Sequence, residues 1–114
     1  MNHTMKLNPT PFAQIKSGAK TIELRLYDAK RRQIAVGDTI CFTNTADASQ
    51  TITARVEALY PFPSFEALYA SLPLLRCGYT TETVAQASPA DMERYYPPER
   101  QRQCGVVGIE ISLL

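Results

Sequence analysis

The stretch SGAKTIELRLYDAKRR, residues 17–32, decides how this chain is read. From Thr21 to Leu26 its residues alternate. Ile22, Leu24 and Leu26 fall on one side; Thr21, Glu23 and Arg25 fall on the other. That is the period of a β-strand with one face toward a core. Glu23 and Arg25 then project from the same face, about 7 Å apart at Cα given the rise per residue. Lys20 comes off the Gly18 turn, and its long stem can bring the ammonium toward the other two. Two readings follow. The ions can satisfy one another on the surface, where each exposed pair contributes only about 0–1 kcal/mol. Alternatively they face one ligand: Arg25 forks onto a phosphate or carboxylate, and Glu23 accepts from an amine or sugar hydroxyl. Lys20 then acts as a donor or, if desolvated, as a base.

The charge distribution sharpens the question. The net charge of the whole chain is only +1. Residues 16–32 hold six cations against two carboxylates, net +4, and the rest of the chain sums to −3. A local positive field attracts phosphate-bearing ligands even when the total does not. Lys30, Arg31 and Arg32 are expected to contact phosphate if nucleic acid binds, or else to form a solvated loop. Tyr27 can stack on a base or pack at the strand end. Lys16, Arg100 and Arg102 are read as surface charges, and most of Tyr79, Tyr95 and Tyr96 as core or rim.

Other classes are disfavoured. At 114 residues the chain suits one domain, residues 1–114, with a single core. No apolar run approaches the roughly 20 residues of a membrane span. The start, MNHTMKLNPTP, lacks the apolar stretch of a signal peptide, so a cytoplasmic location is expected. Cys41, Cys77 and Cys104 are odd in number and widely spaced, which argues against a disulfide framework. The only histidine is His3, so neither a metal centre nor a Cys/His nucleophile is expected, and no cofactor is implied. Oligomeric state is not legible.

The remaining pattern sets the fold. A short strand is expected in MKLN. Thr10 is read as an N-cap and Pro11 as the first residue of a short helix that ends at Gly18, with Phe12 and Ile15 inward. Val36-Gly37-Asp38 turns the chain into a strand at Thr39–Thr43, with Ile40 and Phe42 inward. Asn44 to Gln50 is expected as a hairpin loop. A long strand follows from Thr51 to Leu59, burying Ile52, Ala54, Val56 and Ala58, and ending at Pro61 and Pro63. Ser64 caps a helix with Phe65, Leu68, Tyr69 and Leu72 on one face, stopped by Pro73. Ser88-Pro89-Ala90-Asp91 opens another helix with a capping box, running to Pro97. Glu99 to Gln103 is a charged connection to a last strand holding Val107, Ile109, Ile111 and Leu113 on one face. These pieces predict an α+β fold: a half-open antiparallel β-barrel of about five or six strands with two or three short helices.

Gly18-Ala19-Lys20-Thr21-Ile22-Glu23-Leu24-Arg25 resembles the signature of the ASCH domain family, whose fold is similar to the PUA domain of RNA-modifying proteins. Val36-Gly37-Asp38, Phe62-Pro63-Ser64-Phe65 and Gly105-Val106-Val107-Gly108-Ile109 extend the likeness over nearly the whole chain, nearest to small stand-alone bacterial ASCH proteins. The resemblance implies a PUA-like pseudo-barrel with a cleft lined by the motif, and RNA, nucleotide or nucleoside ligands. Lys20, Glu23, Arg25, Tyr27, Arg31 and Arg32 are the expected ligand-binding residues. One branch is known for amidohydrolase activity on N4-acetylcytidine, with a lysine, a hydroxyl residue three positions later and a downstream glutamate. Here the lysine is Lys20, Glu23 stands at the hydroxyl position, and Glu82 is the nearest downstream carboxylate. If the protein is an enzyme, Lys20 and Glu23 are the expected catalytic pair.

Overall fold

The computed structural model describes residues 1–114. The elements run β1 (Asn2–Leu7), α1 (Pro9–Ser17), β2 (Ile22–Leu26), β3 (Thr39–Asn44), β4 (Asp47–Phe62), α2 (Phe65–Ser71), α3 (Pro98–Cys104) and β5 (Val106–Leu113). The strands form one sheet in the order β1-β3-β4-β5-β2. It curls into a half-barrel, so β1 and β2 are its two free edges. The expected α+β half-open barrel is present. One pair departs from antiparallel: β1 runs parallel to β3. α1 and β2 intervene between them in sequence, and a parallel neighbour requires such a crossover.

The curl is carried by β4, which spans 16 residues and serves both halves of the sheet. Its first part pairs with β3 as far as Arg55, and its second pairs with β5 from Ala54 to Phe62. The register shifts between Val56 and Ala58. One added residue reverses the alternation, so Leu59 rather than Ala58 packs against the barrel core. Pro61 lies inside β4, not beyond it. Past Arg55 the strand has a neighbour only in β5, so the missing N–H of proline can face a free edge.

Two apolar cores lie on opposite faces of the sheet. The inner one joins Met5 and Leu7 of β1, Ile40 and Phe42 of β3, Val56 of β4, and Val107, Ile109 and Ile111 of β5. α1 lays Phe12 and Ile15 into it. The outer core joins Ile22, Leu24 and Leu26 of β2 with Phe65 and Leu68 of α2, Cys77 and Met92. The apolar face of β2 therefore packs outward, under α2. Its polar face looks inward: Glu23 lies opposite Ile109 and Arg25 opposite Val107, both inner-core residues. Burying a side chain such as Phe42 or Leu68 fully contributes about 1.5–3 kcal/mol, so each face is anchored.

Several boundaries differ from the sequence expectation. α1 starts one position after Asn8 rather than after Thr10, because Pro9 already fits the first helical position. The Asn8 carboxamide oxygen accepts from the Thr45 hydroxyl at 3.0 Å instead of capping its own helix. The expected loop from Asn44 to Gln50 is a tight turn: the Asn44 side chain accepts from Ala46 N at 2.9 Å, and β4 begins at Asp47 as an exposed polar strand. Ser64 caps α2 as expected, accepting from Ala67 N. The Ser88/Asp91 capping box is formed, but it opens a 3-10 turn, Pro89–Arg94, rather than an α-helix. The expected connection at Glu99–Gln103 is α3, begun by Pro98. Leu113 is exposed, because the sheet ends around it.

Two glycines give a fold-level test. Gly18 ends α1 at φ 86 with open space where a Cβ would stand. Gly105 joins α3 to β5 at φ 70 and ψ −175, and a Cβ there would meet the Phe62 carbonyl oxygen at 3.1 Å. Gly18→Ala is expected to cost about 1–2 kcal/mol from the left-handed backbone alone. Gly105→Ala is expected to cost more, toward 3 kcal/mol, since that region of backbone space is nearly exclusive to glycine. Urea unfolding of the two variants checks the order.

Candidate functional site

The backbone places Lys20 from both sides. Its amide donates to Gln14 O of α1 at 3.0 Å, and the next amide, Thr21 N, donates to Arg76 O at 2.9 Å. Gly78 passes over it at φ 111, a backbone conformation that residues with a side chain rarely adopt, and a Cβ there would also crowd Gln14 Oε1 at 3.3 Å. β2 then sets Glu23 and Arg25 on its inward face. Lys20 Nζ lies 2.8 Å from Glu23 Oε1. Arg25 donates to Glu23 Oε2 from Nη2 at 2.8 Å and from Nε at 2.9 Å. The same Nη2 donates to the Lys6 carbonyl at 2.7 Å. Arg25 thereby spans the opening between the two edge strands.

These three side chains are only 11%, 5% and 13% exposed, in the order Lys20, Glu23, Arg25. A surface cluster would be worth little; a sheltered one is different. Burial pushes the Glu23 carboxyl up, but Lys20 and Arg25 more than offset that, and its pKa falls below the usual 4.5. Burial likewise pulls Arg25 down, and Glu23 and the Tyr96 phenol facing it raise it overall.

The cluster lines a cleft of about 700 Å³. β1 and α1 contribute Lys6, Asn8, Thr10 and Gln14 on one side; the segment after α2 contributes Tyr79, Asp91, Arg94, Tyr95 and Tyr96 on the other. Its charged residues are Lys6, Lys20, Arg25 and Arg94 against Glu23 and Asp91, net +2. The far wall is internally braced. Tyr69 and Tyr79 hydroxyls are 2.7 Å apart, and Tyr79 donates to Asp91 Oδ2 at 2.7 Å. Burial, with Tyr69 and Asp91 adding to it, drives the Tyr79 phenol far above its ordinary range, so it stays a donor. Gln14 Nε2 ties α1 to this wall through Gly78 O at 3.1 Å. Cys77 also lines the cleft, but burial pushes its thiol up to about 11, which removes thiolate reactivity at neutral pH.

Lys20, Glu23 and Arg25 thus meet in one cleft, while the other expected ligand residues lie elsewhere. Arg31 pairs with Asp28 at 3.1 Å. Arg32 stacks over Tyr27, 4.3 Å from the ring centroid, in a separate shallow hollow. Glu82 is exposed, held by Thr80 and Thr81 of its own turn, and does not line the cleft. Sequence reasoning missed Lys6, Gln14, Tyr69 and Asp91. Gln14 and Gly78 are 64 residues apart, and nothing local in either segment announces the other. No group of three His, Cys, Asp or Glu is placed to hold a metal ion, and no helix is long and apolar enough to cross a membrane.

The family model of the ASCH domain matches residues 5–114, and the chain belongs to that family. It is similar to the hypothetical protein PH0355, with 31% identity, all of both chains covered and a TM-score of 0.80. It is similar to protein PF0455 from Pyrococcus furiosus, with 32% identity, 100% of this chain and 98% of that one covered, and a TM-score of 0.75. The ASCH domain from Lactobacillus crispatus shares the fold at 10% identity, covering 98% of this chain and 79% of that one, TM-score 0.66. No curated protein matches the chain.

The depressed Glu23 pKa has a definite pH consequence. A carboxylate whose folded pKa lies below its unfolded value adds stability that is complete above about the unfolded value, here 4.5. That stability drains away as pH falls through the lower folded value. Glu23→Gln is therefore expected to flatten the acid side of the stability profile while changing little of its shape above pH 5. Glu23→Ala leaves two sheltered cations unpaired and is expected to cost about 3–5 kcal/mol. Denaturant titrations across pH measure both.

Proposed function

We propose that the cleft binds RNA or a nucleotide, with Lys20, Glu23 and Arg25 as its recognition groups. The observation that carries this reading is the sheltered Lys–Glu–Arg cluster opening onto a cleft of about 700 Å³. A volume in the range of about 300–1,000 Å³ suits a small organic ligand. The net positive lining favours a phosphate, and Lys20 keeps ammonium hydrogens beyond the one on Glu23. Glu23, held ionised, accepts from a base amine or sugar hydroxyl. Tyr95 is exposed at the rim and offers a ring face on which a base can stack, while Tyr96 is stacked on Phe65. Family membership agrees with an RNA-related role.

A second reading, hydrolysis of an acylated nucleoside such as N4-acetylcytidine, has one observation in its favour: the 2.8 Å Lys20–Glu23 contact within the cleft. A lysine–carboxylate pair can activate water. Two cations, however, hold the Glu23 carboxyl below its usual range and so make it a weak proton acceptor. Binding ranks first for that reason.

Thermal-shift and calorimetric titration with nucleosides, nucleotides and short RNAs tests the first reading. A nucleotide or RNA is expected to raise the melting temperature, with affinity that weakens as salt rises. Lys20→Ala is expected to lower that affinity about 10- to 100-fold, the worth of a charge-assisted contact. Affinity indifferent to both salt and Lys20 would overturn it. N4-acetylcytidine is expected to survive incubation with the protein; turnover that disappears in Lys20→Ala would put hydrolysis first.

A further inference from the structure

A second hollow, of about 520 Å³, is lined by Tyr27, Arg32, Phe62, Arg102, Cys104 and Gly105 among others, and no carboxylate lines it. Tyr27 continues the face of β2 that carries Glu23 and Arg25, about 7 Å beyond Arg25 at Cα. Its amide donates to Gly105 O at 3.0 Å, which seats it against the end of α3. The Arg32 guanidinium is held in two ways: it lies 4.3 Å from the Tyr27 ring centroid, and Nη2 donates to Cys104 O at 2.9 Å. Neither Arg32 nor Arg102 forms an ion pair with a carboxylate. Arg31, next in the chain, spends its charge on Asp28.

An arginine that is ordered but uncommitted is poised for an anion. Fixing its side chain forfeits about 2 kcal/mol of rotamer entropy. Here folding has already met that cost through a carbonyl and a ring, so an incoming anion need not. The hollow is shallow and open, which suits a sugar–phosphate backbone better than a buried base. An acidic peptide would also be attracted to the arginines, but it brings no base to the tyrosine-lined cleft along the same strand face.

We propose that Arg32 and Arg102 hold the phosphate backbone of a single-stranded RNA whose neighbouring nucleotide occupies the cleft. This rests on the nucleotide reading of the cleft and extends it: the preferred ligand is an oligonucleotide, gripped at two points. Contacts of this kind position a strand without reading its sequence.

Fluorescence anisotropy with a labelled single-stranded RNA octamer, beside calorimetry with mononucleotides, tests it in the full-length protein. The double variant R32A/R102A is expected to weaken octamer binding at low salt. It is also expected to reduce the slope of log affinity against log salt by about 1.4, two single-strand phosphate contacts at about 0.7 each. Mononucleotide affinity is expected to stay unchanged. Arg102→Ala alone, at an exposed helix position, and Arg32→Lys, which keeps the charge, separate charge loss from any disturbance of the α3 junction. Each is expected to behave in that light: the former loses about half the slope change, the latter retains the slope. Octamer affinity and slope unchanged in R32A/R102A but lowered by Lys20→Ala would overturn the second contact and leave the cleft reading standing. Mononucleotide and octamer binding both indifferent to Lys20→Ala would remove the cleft reading instead. Competition by polyglutamate as effective as unlabelled octamer would overturn RNA as the occupant.

Discussion

A carboxylate held between two cations, away from water, is the constraint on which the rest of this molecule turns. Glu23 is 5% exposed and receives Lys20 on one oxygen and Arg25 on the other. In bulk water such contacts are nearly neutral in free energy, because solvation competes with them. Under shelter, removing any one member strands the others, so the three must be placed together or not at all. The Gln14 carbonyl, the Gly78 crossing and the inward face of β2 all serve that placement.

The cluster also explains how an open barrel stays shaped. A half-barrel leaves two edge strands with unpaired backbone groups facing a gap. Arg25 bridges that gap by donating to the Lys6 carbonyl of β1 from β2. Its guanidinium fork allows this while it still holds Glu23; a lysine ammonium has no such planar fork. The same residue therefore closes the seam and presets the carboxylate. Shape and site share one side chain, and this links the stability of the fold to the electrostatics of the cleft.

Charge that looked like one block in the sequence is divided by the fold. Lys20 and Arg25 turn into the cleft, Arg31 is neutralised by Asp28, and Arg32 is carried to a different hollow by its stacking on Tyr27. A charge count along the chain detects the field but not its partition, because partition depends on where each side chain exits its strand or turn. The opposite wall shows the converse. Tyr69, Tyr79 and Asp91 form a hydrogen-bonded series that no local pattern announces, since Tyr69 lies on α2, Tyr79 in a loop and Asp91 in the Pro89–Arg94 turn.

By itself the sequence determined the elements whose signals are local. The alternation of Ile22 to Leu26, the buried Ile40 and Phe42, the Ser64 cap and the Ser88/Asp91 capping box follow from side-chain period and short-range hydrogen bonding. The half-open barrel was legible from strand count, loop length and the Gly18 to Arg25 motif together. Tertiary structure alone decided which face of β2 looks inward, because both faces are buried and alternation cannot say which core each will meet. It decided the β4 bulge and the parallel docking of β1, which answer to distant neighbours, and it ties the end of the Pro98–Cys104 helix to Arg32 through the Cys104 carbonyl. It also decided that three ions on a strand would shelter one another rather than stand in water: α1, β1 and the segment after α2 converge on them from positions far apart in the chain.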